Sequence, residues 1–175
     1  MVTISMDDGL QSQLGISSIP DFASPSGEYD DAVIARIKAW RGWGSPPGPS
    51  ARFLSRTPRV GSSGVSFVPF NWDTLYFHHA GIDTSPYKSV DLHVNGGPAG
   101  GQDIGVAVWD GSTLLGQVEI PQLLGHPLRP NTWEHVIVPL SAVAASGRPP
   151  RDLYIQDDSG GTQATVYVDD VHLIP

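Results

Sequence analysis

Between Asn71 and Gln102 the chain reads NWDTLYFHHAGIDTSPYKSVDLHVNGGPAGGQ, and polar or aromatic residues alternate there with apolar ones over two short runs. A period of two is the mark of a half-buried strand. In the first run Leu75 and Phe77 are assigned to a core, while Trp72, Tyr76 and His78 point the other way. In the second, Val90, Leu92 and Val94 point inward and Asp91 and His93 outward. Trp109, Tyr154 and Gln156 extend the set from later runs. Aromatic rings of this kind stack on the apolar C–H face of a pyranose, and Asp, Gln and His side chains hydrogen-bond its hydroxyl groups. Large aromatics on an outer face otherwise need a covering partner, so the alternative is a second core layer under a long loop. Because the two runs are close in sequence, Trp72, Tyr76, His78, Asp91 and His93 are expected to line one open sheet.

Other chemistries are less well supplied. His78 and His79 are adjacent, so on a strand they face opposite ways and do not share a metal ion; a pair of His78 with His93 stays open beside a purely hydrogen-bonding role. A glycosidase needs two carboxyl groups across a cleft. Glu119 and Glu134 are the glutamates of the strand-rich body and Asp91 is the acid of the central row, and no pair among them is singled out. GGPAGGQ lacks the Lys and Ser/Thr of a phosphate loop and the helix that would follow one, so its glycines are read as serving a tight connection. No GxSxG nucleophile motif is present. Trp40 and Trp133 are assigned to packing.

The elements that must position these residues follow from the rest of the chain. Its 175 residues suit one domain with a core of its own. Only 16% of residues are charged, so neutral polar residues make up much of the surface, as befits a secreted β domain that meets neutral ligands. The net charge of −8 argues against nucleic acid and against anionic membranes. Six of the ten basic residues fall between Arg36 and Arg59. Cysteine is absent, which removes disulfides, thiol nucleophiles and thiolate metal sites. No apolar run reaches membrane-spanning length, and an export signal, if there is one, is expected outside this sequence.

Strands are predicted at 51–56, 64–70, 72–79, 89–95, 103–109, 113–120, 134–140, 152–157 and 164–174, with turn residues between them. That spacing is the pattern of an all-β, two-sheet antiparallel sandwich. A short helix is allowed near 31–40, where Val33, Ile37 and Trp40 have helical spacing. Residues 1–27, rich in Ser, Pro and Gly, are read as an extension or linker ahead of a domain over 28–175. In TVYVDDVHLI the inward parity slips between Val168 and Val171, which predicts a β-bulge at Asp169-Asp170.

YDDA near the start, DTSPY before a strand ending NGGPAGGQ, Trp133 leading into VIVPLSAV, YIQDDSGG and the terminal VYVDDVHL together resemble the β-jelly-roll carbohydrate-binding modules appended to secreted bacterial glycoside hydrolases. The resemblance covers roughly Glu28 to Pro175. It implies a jelly roll that binds a polysaccharide or oligosaccharide without catalysis, outside the cell or at its surface, in a full-length protein that carries a fused catalytic domain. It further implies a structural Ca²⁺ held by Asp169, by Asp30 or Asp31, and by main-chain carbonyls, a donor set suited to an ion that takes 6–8 oxygens. A hydrolase or lyase on the same sandwich, and a structural or adhesive module, are the alternative classes.

Overall fold

The computed structural model describes residues 2–4, 22–23, 36–40, 51–55, 59, 64–78, 83–110, 112–143 and 149–175. The strands are β1 (Val2–Ile4), β2 (Phe22–Ala23), β3 (Arg36–Trp40), β4 (Ala51–Ser55), β5 (Gly64–Phe67), β6 (Thr74–His78), β7 (Ser89–Asn95), β8 (Ile104–Trp109), β9 (Leu114–Glu119), β10 (Trp133–Pro139), β11 (Asp152–Asp157) and β12 (Val166–Ile174). Two short helices, α1 (Ile120–Leu124) and α2 (Leu140–Val143), complete the described elements.

The strands form two antiparallel sheets. One runs β10-β7-β12-β1-β2, and β12 is long enough to pair β5 along Val166–Val168 and β1 near its end, with β4 beyond β5. The other runs β3-β6-β11-β8-β9. Each sheet turns one parity inward. Leu75 and Phe77 of β6, Val106 and Val108 of β8 and Ile155 of β11 come from the five-stranded sheet. Leu92 and Val94 of β7, Val136 and Val138 of β10 and Val166 and Val168 of β12 come from the other. The helices close the sandwich by adding Ile120, Leu140 and Val143 to the same core. Valine is frequent there because a β-branched side chain fits a pleated, buried surface. The architecture is the expected all-β sandwich.

Strand β12 carries the bulge expected from its parity slip. Its register with β7 breaks between Asp169 and His172, and Asp170 takes φ +49°. The extra residue returns Val171 and Leu173 to the inward side after Val166 and Val168.

The helix near 31–40 is corrected: Arg36–Trp40 is a strand, paired residue for residue with His78–Thr74 of β6. The spacing of Ile37 and Trp40 fits a helix turn, but backbone pairing along an open edge of the sheet outweighs so short a helix. The observed helices lie elsewhere and are four or five residues long. Within residues 1–27, Val2–Ile4 and Phe22–Ala23 pair with one another and β1 joins β12, so these pieces extend the seven-stranded sheet. The glycines after β7 do serve a tight connection. Gly97 has φ +55°, and a Cβ there would lie 2.4 Å from the Thr165 carbonyl oxygen.

Candidate functional site

The expected single face is split by the topology. Strand β6 pairs with β3 and β11, and β7 pairs with β10 and β12, so the chain crosses from one sheet to the other between them. Tyr76 and His78 therefore belong to the five-stranded sheet, and Asp91 and His93 to the seven-stranded one. A shared metal site for His78 and His93 falls with the same observation. The reason is physical: alternation fixes which parity is buried, but an inward residue can meet the core from either sheet. The sequence signal was the ten residues between the two strands, long for a hairpin and right for a crossing.

Sheet register gathers the later members of the row instead. Tyr154 on β11 is opposite Tyr76 on β6 and Ala107 on β8; Asp152 is opposite His78 and Trp109; Gln156 is opposite Thr74 and Gly105. Across β8 the next strand places Gln117 opposite Ala107 and Glu119 opposite Gly105. Four of the predicted ligand residues, Trp109, Tyr154, Gln156 and Tyr76, thus stand on adjoining positions of one sheet, with His78 beside them. The Trp109 and Tyr154 rings stack with centroids 5.7 Å apart and planes 28° apart. Both rings are half-buried. The other outward positions of β8 are Gly105 and Ala107, small residues buried beneath the side chains on either side.

At one end of this face the chain is held by Asp157. Its buried carboxylate accepts hydrogen bonds from the Trp72 and Ser159 amides (2.9 and 3.2 Å), the Ser159 hydroxyl (2.7 Å) and the Gln163 side-chain amide (2.5 Å). Asn71 and Trp72 both have positive φ (49° and 66°), and the Asp73 amide returns to the Phe70 carbonyl at 2.8 Å. This is the geometry of a type I′ turn, unusual for tryptophan because a side chain is strained there. Asp157 holds the turn, and Trp72 is left 50% exposed with its indole against Gly160. Trp72 is thus a displayed ring at the end of β6 rather than a member of the strand row.

An acid pair missed by the sequence reading lies beside Gly105. Asp158 folds back over β8: a Cβ on Gly105 would fall 2.1 Å from its Oδ2. Its Oδ1 accepts from Gln156 (2.7 Å) and Gln117 (2.9 Å). Its other side meets Glu119, and Glu119 Oε2 and Asp158 Oδ2 are both buried without a donor. Burial, contact with Asp158 and the charge of Asp103 push the Glu119 carboxyl up to about 7. Burial also raises Asp158. Glu134 has the opposite character. It is buried, and Arg129 grips it through two bonds of 2.7 and 3.0 Å that hold its carboxyl below the usual range.

The outer face of the seven-stranded sheet carries a separate polar network. His93 and His135, opposite on β7 and β10, stack at 4.8 Å. His135 Nε2 lies 2.7 Å from Asp91 Oδ1, and Arg59 pairs with Asp170. Burial, with the nearby charge of Arg59, lowers the His93 imidazole from its ordinary value. Asp91 and Asp170 are occupied within this network. Asp169, buried at the bulge, accepts the Arg59 amide on Oδ2 and the Asp170 amide on Oδ1, each at 2.9 Å. The described residues supply this one carboxylate toward the expected calcium, and they contain no group of three or more His, Asp or Glu placed to hold an ion. Asp30 and Asp31 lie outside the described residues.

No protein-family model matches the chain. Over 113 residues, 63% of its length, it is 28% identical to an endoglucanase of Dictyostelium discoideum, and the match spans 16% of that protein. Its fold is that of the family 11 carbohydrate-binding module of the cellulosomal cellulase Lic26A-Cel5E of Clostridium thermocellum. The TM-score is 0.57 at 12% identity, covering 93% of this chain and 96% of that one. A family 29 carbohydrate-binding module complexed with mannohexaose aligns at a TM-score of 0.47 and 8% identity, over 83% and 84% of the two chains.

Gly160 has φ +66°, and a Cβ there would sit 2.9 Å from the Trp72 indole. Gly160→Ala is expected to cost about 1–2 kcal/mol for the left-handed backbone and to shift the Trp72 indole N–H resonance. Denaturant melts and an NMR spectrum check both; unchanged stability would contradict the role given to Gly160.

Proposed function

We propose that this domain is a non-catalytic carbohydrate-binding module, and that it holds a neutral β-glucan on the outer face of its five-stranded sheet. The observation that carries the reading is the stacked Trp109–Tyr154 pair beside the side-chain amides of Gln117 and Gln156 on one sheet. Rings provide a platform for the C–H face of a sugar, and amides, which donate and accept at once, match its hydroxyl groups. Trp72, displayed at the end of the same sheet, offers a further stacking surface. The fold shared with a module of a cellulase and the similarity to an endoglucanase support the choice of a glucan, and suggest a catalytic domain elsewhere in a longer, exported protein.

The enzyme alternative is less well served. Glycoside hydrolysis places its carboxyl groups about 5–9.5 Å apart so that a sugar carbon or a water fits between them. Glu119 and Asp158 instead come together over Gly105 with their free oxygens buried, which leaves no room for either. The adhesive alternative would place a partner protein, rather than a sugar, on the Trp109–Tyr154 pair.

Trp109→Ala and Tyr154→Ala are each expected to weaken retention on soluble β-glucan by about 1–3 kcal/mol, the scale for losing one stacked ring. Both substitutions should leave a cooperative melt. His93→Ala, on the opposite face, should leave retention unchanged. Affinity electrophoresis checks all three; equal loss from both faces, or sugar release by the unsubstituted protein, would contradict the reading.

Calcium is the second part of the proposal. An ion beside the bulge would be held by Asp169, by main-chain oxygens and by Asp30 or Asp31. Asp169 supports it because two amides fix this buried acid at the bulge, one on each carboxylate oxygen. Since such an ion binds only the folded chain, ~100- to 1,000-fold excess over its dissociation constant should stabilise the domain by roughly 3–4 kcal/mol. A melt that is the same in calcium and in EDTA would remove it.

A further inference from the structure

We infer that Glu119 and Asp158 are positioning residues that share one proton, and that this proton sets the two side-chain amides of the sugar-binding face. The inference rests on the carbohydrate-binding reading above and assigns the pair a role within it.

The argument starts at Gly105. A side chain there would occupy the space that the Asp158 carboxylate fills, since its Cβ would lie 2.1 Å from Asp158 Oδ2. The missing side chain lets Asp158 lie across β8 and reach β9, where Glu119 stands opposite Gly105. The Asp158 main chain is fixed there by its amide on the Asp103 carbonyl, at 3.0 Å. In this position Asp158 Oδ1 is a common acceptor for Gln117 of β9 and Gln156 of β11. Each amide gives an N–H to Asp158 and keeps its carbonyl oxygen, and Gln117 also hydrogen-bonds Glu119. Those groups, held on either side of Asp158, are what a row of sugar hydroxyls would meet.

The pair is closed by a proton. Glu119 Oε2 and Asp158 Oδ2 are both buried and neither has a donor. Two carboxylates in contact repel, whereas a carboxylic acid beside a carboxylate forms a strong hydrogen bond. The groups facing Glu119 are Asp158 from the turn after β11, Asp103 from the approach to β8, and Gln117 from its own strand. Burial first, and then both acids, oppose a second negative charge, and the Glu119 carboxyl is raised to about 7. When the proton leaves, repulsion drives Asp158 off Gly105, and Gln117 and Gln156 lose their shared anchor. Sugar binding is therefore tighter on the acid side.

The linkage has a definite sign. A carboxyl raised in the folded state contributes stability that is complete below its unfolded value of 4.5 and lost as pH rises through about 7. The melting temperature should fall over that window. If bound sugar shifts the pair's proton affinity by half a unit to one unit, affinity should drop about 3- to 10-fold between about pH 5.5 and about pH 8.5.

The test measures binding of cellohexaose across this range for the unsubstituted protein and for Glu119→Gln, which keeps a donor toward Asp158 but cannot titrate. The expected result is a fall with pH for the first and a flat, acid-like affinity for the second, with the melting temperature following the same pattern. Carboxyl ¹³C titration of the sugar-free protein reads the pair independently of any ligand. Binding that is flat in both proteins, an equal fall in both, or a Glu119 signal titrating near 4.5 overturns the inference while leaving the binding face standing. No binding at any pH overturns the binding face and the positioning role together, even where the carbon signal shows the shared proton.

Discussion

Everything on either face of this domain depends on two sheets turning one parity of every strand toward a single core. Leu75, Val106 and Ile155 meet Leu92, Val94, Val136 and Val168 across the sandwich. Burying a side chain of this size stabilises the fold by roughly 1.5–3 kcal/mol, and a slip of one residue in any strand would reverse its faces. The outward parity is set by the same constraint. Tyr154, Gln156, Trp109, Gln117 and Glu119 share one side of one sheet because Ile155, Val108 and Val118 must occupy the other. The bulge at Asp170 lets β12 change parity without giving up its core residues, and β9, whose register with β8 shifts between Val108 and Trp109, likewise packs both Leu115 and Val118 against the core.

The two outer faces use similar residue types to different ends. On the seven-stranded sheet, aspartates are matched by His135 and Arg59, and the histidine rings stack on each other. Most of that network is paired within the protein, with His93 Nδ1 buried and left without a hydrogen bond. On the five-stranded sheet the aromatics stack beside amides, and the acids meet each other rather than a base. Polar groups whose partners are only partly supplied by the protein mark the side where a ligand has something to offer. Asp157 stands at the junction, and its four donors tie the displayed Trp72 turn to the end of β11.

Much of this was legible in the residues. Strand positions follow alternation closely: 89–95 and 152–157 carry the same bounds in sequence and structure, and the slip at Asp169-Asp170 gave the bulge. Membership of a sheet was not legible, because a buried leucine looks the same from either side of the core. That is why Asp91 and His93 were grouped with Tyr76 and His78. The Glu119–Asp158 contact was hidden for a related reason. It depends on a glycine one strand away, and the signal was the alternation of small with large residues in IGVAVW, which marks a low outward surface on β8. Ile37 and Trp40 illustrate the limit of helical spacing, since two suitably placed apolar residues do not outweigh a strand partner.

The central claim is that one face, and not the other, meets carbohydrate. Titrating the ¹⁵N-labelled protein with cellohexaose and following its amide and side-chain NMR signals addresses it most directly. The account expects the largest changes at residues 105–109, 114–119 and 152–158, in the Gln117 and Gln156 side-chain amides, and in the indole of Trp109. Changes centred on 89–95, 133–139 and the bulge of β12, or no changes at saturating sugar, would contradict it.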